Sequence, residues 1–90
     1  MSATPSTADP FTLELQHIRG LIEANQLPQA AQALNAAQKK APKDARLPLL
    51  GMRMAERVGN LENATQAARR ALALAPDWQV AQIELALLLA

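Results

Sequence analysis

The run GNLENATQAARRALALAP, residues 59–76, decides how the rest of the chain is read. Leu61, Ala64, Ala68, Ala71, Leu72 and Ala75 fall on one stripe of an α-helix. Ala and Leu are also strong helix formers. Gly59 in front suits a left-handed C-cap closing a preceding helix, and Pro76 behind stops the helix that follows.

Working outward, the same pattern stands 34 residues earlier. Leu27, Ala30, Leu34, Ala37 and Ala41 form the equivalent stripe, and Pro42 falls on Pro76. Upstream, Leu13 falls on Leu47, Leu15 on Leu49, Ile18 on Met52 and Arg19 on Arg53. A further shift carries Leu15 and Leu49 onto Ile83, and Leu21 and Ala55 onto Leu89. A fixed period of this length is the signature of a helical array. The spacing predicts helices over about 10–24, 27–41, 45–58, 61–75 and 78–90. Asp9 is a candidate cap for the first, with Pro10 at its first position. Asn25-Gln26 and Gly59-Asn60 are tight turns, and Asp44 and Asp77 are candidate caps for the helices that follow them. Pro48 sits at the end of a first helical turn, so that helix either starts late or forgoes one hydrogen bond.

Composition agrees. Half of the 90 residues are apolar, but there is one Phe, one Trp and no Tyr, and most of the apolar side chains are Ala or Leu. Strands favour β-branched and aromatic residues, so the chain reads all-α. Nine Lys or Arg against eight Asp or Glu leave a net charge of +1, too balanced to imply nucleic acid or an anionic membrane. No cysteine is present, which excludes disulfides, thiolate metal sites and a Cys nucleophile. Residues 1–9 read as a solvated tail without the basic and apolar regions of a secretory signal. The expected location is cytoplasmic.

At this point the chain resembles the tetratricopeptide repeat family. The resemblance rests on Gly59, Ala64, Ala71 and Pro76 at the family's spacing, and on a weaker copy over residues 11–44 in which Asn25 replaces the turn glycine. Gly51 and Ala55 stand near places where the family uses small residues between paired helices; its early Trp and its Tyr are missing. The resemblance implies antiparallel helix pairs in a right-handed superhelix, here two repeats (11–44 and 45–78) and the first helix of a third (78–90). Within that picture, Ala30, Ala37, Ala64 and Ala71 let helix axes approach closely. The first helix of each pair would line a concave groove for a protein or peptide. That groove takes Leu15, Arg19, Ile22 and Glu23 from the first unit and Arg46, Leu49, Arg53, Glu56 and Arg57 from the second, followed by Val80, Ile83 and Leu87. The family's best-known groove chemistry clamps a chaperone's C-terminal carboxylate with Lys and Asn; Leu15 stands at the first such place, so the resemblance does not carry that activity over.

Arg19 and Arg53, one repeat apart, have two readings. They can hold a carboxylate or acidic peptide by charge-assisted hydrogen bonds, or be solvated or paired with Glu23, Glu56 and Glu14. Trp78 either packs across the loop between repeats or anchors a partner, and Met52 and Met54 read as core or interface filler.

The stretch QIELALLLA, residues 82–90, is the most apolar in the protein. Ala81, Leu85, Leu88 and Leu89 form one stripe and Val80, Ile83, Leu87 and Ala90 a second. A helix apolar on nearly all sides is built for burial. Three explanations stand side by side: the chain is a piece of a longer array, it forms a homodimer through this helix, or part of the second stripe serves as a peptide groove.

Little in the sequence carries chemistry. The one His is His17, Ser occurs only at Ser2 and Ser6, and no nucleophile, base and orienting group can be assembled. Glu14, Glu23, Glu56, Glu62 and Glu84 are scattered, and neither a metal cluster nor a glycine-rich phosphate loop is written. No cofactor is expected. Lys39, Lys40, Lys43, Arg69 and Arg70 are basic but lack aromatics for stacking on bases, and they read as a solvated face. No nucleic acid and no membrane partner is expected, since the apolar terminal run is too short to span a bilayer. The expectation is a non-enzymatic scaffold module for protein–protein interaction. The alternative is an N-terminal accessory region of a larger bacterial-type enzyme, such as a transferase that uses repeats to recognise its substrate protein.

Overall fold

A computed structural model describes residues 10–90. Asp9, and with it the expected cap and tail, lies outside the described residues. The architecture is all-α: α1 (Pro10–Glu23), α2 (Leu27–Lys40), α3 (Arg46–Arg57), α4 (Leu61–Leu74) and α5 (Gln79–Leu89).

The connections explain why the chain breaks where it does. After α1, the Gln26 N–H bonds the Leu21 carbonyl at 2.8 Å and the Asn25 N–H bonds Ile22 at 2.9 Å. After α3, Asn60 bonds Ala55 at 2.9 Å and Gly59 bonds Glu56 at 3.1 Å. This is one C-capping motif written twice, 34 residues apart. It needs a left-handed residue, supplied by Asn25 at φ 61° and Gly59 at φ 77°. Asn tolerates that region better than other side-chain-bearing residues, which is why it can stand in for glycine. The second connections match as well: Ala41 bonds Ala37 and Ala75 bonds Ala71, with φ −142° at both caps, just before Pro42 and Pro76.

Helix starts are less uniform. The Asn60 side chain accepts from the Asn63 N–H at 3.1 Å, whereas Gln26, its counterpart, makes no side-chain cap bond. The N-cap of α3 is Ala45, without a side-chain cap bond, and Asp44 accepts from the Arg46 N–H at 3.0 Å from one residue further out. Asp77 does not do this for α5, whose N-cap is Trp78 with extended backbone and no side-chain cap bond. Pro48 proves unobjectionable. With α3 starting at Arg46 it is the third helical residue, where a missing N–H leaves no intrahelical bond unmade.

Two apolar clusters lie on either side of α3. On one side Leu47 and Leu50 join Leu15, Ile18 and Ile22 of α1 and Ala30, Leu34 and Ala37 of α2. On the other, Leu49 and Met52 meet Ala64 and Ala68 of α4, with Trp78, Leu85 and Leu88 packed against them. Ala30, Ala37, Ala64 and Ala71 are fully buried, so each marks a close approach of helices that a larger side chain would obstruct. Gly51 differs. A Cβ there would meet nothing within 4 Å, so no neighbour demands its smallness.

Candidate functional site

The 34-residue register places equivalent side chains of α1, α3 and α5 on one face. Thr12, Arg46 and Val80 share one position, and Leu15, Leu49 and Ile83 share another. Between them lies a recess of about 270 Å³ lined by Thr12, Leu15, Gln16, Arg19, Arg46, Leu49, Leu50, Arg53, Trp78 and Val80. Its floor is apolar. Leu15 and Leu49 are largely buried and belong to the cores beneath, so they offer only a small part of their surface. A second recess of about 220 Å³ follows along the same face, lined by Ile22, Glu23, Arg53, Glu56 and Arg57. Of the twelve groove residues expected from the sequence, ten line one recess or the other, Val80 among them and Arg53 in both; Ile83 and Leu87 line neither.

The charges on this face are arranged by short ion pairs. Arg46 grips Asp44 with two donors, Nε to Oδ1 at 3.0 Å and Nη2 to Oδ2 at 2.7 Å. Its Nη1 donates to Thr12 Oγ1 at 3.2 Å, and its guanidinium stands 5.6 Å from the centre of the Phe11 ring. The hydrogen bond from the Arg46 side chain holds the Asp44 carboxyl below its ordinary value, against the opposing effect of burial; the Arg46 N–H and positive charge add to the lowering. Arg19 Nε bonds Glu23 Oε2 at 3.2 Å, and Arg57 Nη2 donates to the Glu23 carbonyl at 3.3 Å. Arg53 reaches across to Glu84 of α5 at 3.4 Å rather than to Glu56. Glu14 is taken by Lys40 at 2.8 Å. Of the pairings the sequence suggested, only Arg19 with Glu23 forms as expected.

The two stripes of α5 separate. Ala81 is fully buried, and Leu85 and Leu88 are half-buried against α3 and α4. Val80, Ile83, Leu87 and Leu89 are exposed, with Ile83 at 59% and Leu87 at 68%. Leu89, grouped with Ala81, Leu85 and Leu88 in the sequence, turns outward instead. On the α2–α4 side, a third recess of about 370 Å³ is lined by Leu27, Gly51, Met54, Ala55, Val58, Asn63 and Ala67.

Thr12, Gln16, Leu50 and Trp78 were missed as lining residues. Thr12 and Gln16 are one turn from Leu15 and Arg19, a helical-neighbour signal present in the sequence. Trp78 is half-buried, packs beside the α3–α4 cluster and shows part of its surface to the recess. Its position in a loop gave no periodic signal. His17, Lys39, Lys43, Arg69 and Arg70 are exposed side chains on other surfaces. Among the described residues no three His, Cys, Asp or Glu side chains gather into a metal-binding group, and no helix is long and apolar enough to cross a membrane. No protein-family model, curated protein or solved structure matches this chain.

Proposed function

We propose that this chain is a protein–protein interaction module of the tetratricopeptide kind, with paired helices following a right-handed superhelix and a peptide-binding face formed by α1, α3 and α5. The recurrence of both loop geometries at 34 residues supports the repeat reading. One observation carries the binding reading. The larger recess on this face has an apolar floor bordered by three guanidiniums, those of Arg19, Arg46 and Arg53, each held from outside the lining by a carboxylate of the chain, Glu23, Asp44 and Glu84. That combination suits a peptide segment with an apolar side chain flanked by Asp or Glu. The apolar group would bury against Leu49, Trp78 and Val80, and the carboxylate would receive charge-assisted hydrogen bonds. In this reading the module holds its partner and leaves it chemically unchanged. The exposed apolar residues of α5 support a second contact surface in the same module.

Trp78 is the only tryptophan, so its fluorescence reports on the recess directly. Peptides selected from a random library against the protein should be rich in acidic and apolar residues and should change Trp78 emission on titration. The Arg19→Glu/Arg53→Glu double variant should weaken them by about 10-fold or more. Selected peptides that leave Trp78 emission unchanged, or that bind the double variant equally well, would rule the reading out.

A further inference from the structure

We infer that Arg53 is the residue that reads the partner's acidic side chain, and that Glu84 of α5 is an internal competitor which that side chain must displace; this rests on the reading of the groove as a peptide site. Three guanidiniums border the larger recess, and they are held in three different ways. The differences decide which of them is open to a carboxylate from outside.

Arg46 is committed. Two of its nitrogens close on both oxygens of Asp44, at 3.0 and 2.7 Å, and a third donates to Thr12 at 3.2 Å. The Phe11 ring stands beside the same guanidinium. A bidentate pair of this length is the strong form of the contact, so a ligand that replaces Asp44 gains nothing. Arg46 acts as a clasp between α1 and the start of α3.

Arg19 is accessible but solvated. Its pair with Glu23, on the next turn of the same helix, leaves the two side chains 59% and 58% exposed. Charges that exposed attract each other weakly, and a ligand carboxylate at Arg19 meets the same screening.

Arg53 is both loosely held and sheltered. Its pair with Glu84 is the longest of the ion pairs among the described residues, 3.4 Å against 2.7, 2.8 and 3.2 Å, and it engages one nitrogen, Nη2. Yet the two side chains are only 33% and 22% exposed. Charge-assisted bonds close to about 2.7–2.9 Å when geometry allows. These two groups are partly withdrawn from water without the short contact that would offset it. A carboxylate free to approach Arg53 squarely therefore has more to gain there than at either neighbour.

Register shows why the pair is loose. Four residues after Arg19 stands Glu23, but four after Arg53 stands Arg57. Arg53 lacks the acid on the next turn that its copy has, and takes a carboxylate from α5 instead. The positions equivalent to Glu84 in α1 and α3 are Gln16 and Leu50, and both line the larger recess. Glu84 is thus an acid at a groove position, one repeat further along. Arg53 is also the residue common to both recesses, so a peptide lying along the face passes it whichever recess takes the apolar side chain. On exchange, Glu84 is already partly exposed and turns to water. The competitor lowers the affinity of every acidic segment and leaves neutral ones unaffected.

Glu84→Gln removes the competitor and keeps the size of the side chain. The probes are the acidic peptides selected against the protein, blocked at both ends so that Asp and Glu carry their only carboxylates. Each has a twin with Asn and Gln in place of Asp and Glu. Titrations are followed by Trp78 emission, on variants whose helix content matches the native chain by circular dichroism. The acidic peptides should bind Glu84→Gln about 5-fold more tightly or better, and the twins should bind it as they bind the native chain. Glu84→Asp keeps the net charge and shortens the reach, so it should give a smaller gain of the same kind. In an Arg53→Gln background, Glu84→Gln should give no gain, because no guanidinium is left to compete for. Arg53→Gln should also narrow the preference for peptide over twin more than Arg19→Gln does.

Unchanged affinity in Glu84→Gln would overturn the proposal and leave the peptide site standing. So would an equal gain for the twins, no gain in Glu84→Asp, a gain that persists without Arg53, or a larger loss at Arg19. A selection that returns no acidic peptide sinks the groove reading itself, and this inference with it.

Discussion

Helices α3 and α5 stand one repeat apart at the same register, and they end up in different surroundings. α3 sends Leu47 and Leu50 into one cluster and Leu49 and Met52 into another, so it is walled on two sides. α5 sends Ala81, Leu85 and Leu88 inward and leaves Val80, Ile83 and Leu87 in solvent. Its sequence is the more apolar of the two, yet its side chains are the less buried. Apolar composition creates a demand for cover; only a neighbouring element supplies it. Met52 with no exposure and Ile83 at 59% show the gap.

The sharpest way to break the comparison is to truncate both helices on the same face. Met52→Ala should cost about 3 kcal/mol in urea unfolding, since it leaves a void between α3 and α4. Ile83→Ala, measured in dilute solution, should change stability by less than about 0.5 kcal/mol. Similar losses at both sites would mean that α5 is covered in solution even in the monomer.

A smaller effect compares the two copies of the turn. Gly59→Ala should cost about 1 kcal/mol, because it puts a Cβ at positive φ. Asn25→Gly should be neutral or stabilising by up to about 1 kcal/mol, since it relieves the same constraint in the first copy. A loss at Asn25 would point to a side-chain role absent at Gly59.

The helix starts offer the next test. Asn60→Ala should cost about 0.5–1 kcal/mol by removing its bond to the Asn63 N–H. Gln26→Asn should stabilise by a few tenths of a kcal/mol if the cap can be transplanted. No change at Asn60 would show that the cap bond contributes nothing there.

The smallest effect concerns Asp44, whose place in the third copy is taken by Trp78. Its carboxyl is held below the ordinary value in the folded chain, so its contribution is present above the unfolded value. That contribution should be lost as pH falls below about 4, through the lowered folded value. The stability advantage over Asp44→Asn, below about 1 kcal/mol, should therefore shrink on acidification. A constant difference across that window would mean that Arg46 does not favour the charged form.

The fold was legible because the repeat states each helix more than once. The stripe Leu61 to Ala75 and its copy from Leu27 fixed α4 and α2 to within a residue or two. Asp77 misled because an Asx residue before a helix signals a cap only if the chain turns at that residue, and here Trp78 provides the cap position. The face was legible too, since register alone places Arg19 and Arg53 in line. Their partners were not. Which carboxylate an arginine reaches depends on helix separation and crossing, and so Arg53 finds Glu84 on α5 instead of Glu56 on its own helix.

The substantial contacts join α1 to α2 and α3, α2 to α3, α3 to α4, and α4 to α5. None of them links distant parts of the chain. Such a contact order is low, and low-order helical domains fold quickly. It also means that α1, α2 and α3 can complete their shared core as soon as they leave the ribosome, with α4 and α5 still to be made. Helices α4 and α5 then add to a finished wall, α5 through Leu85 and Leu88.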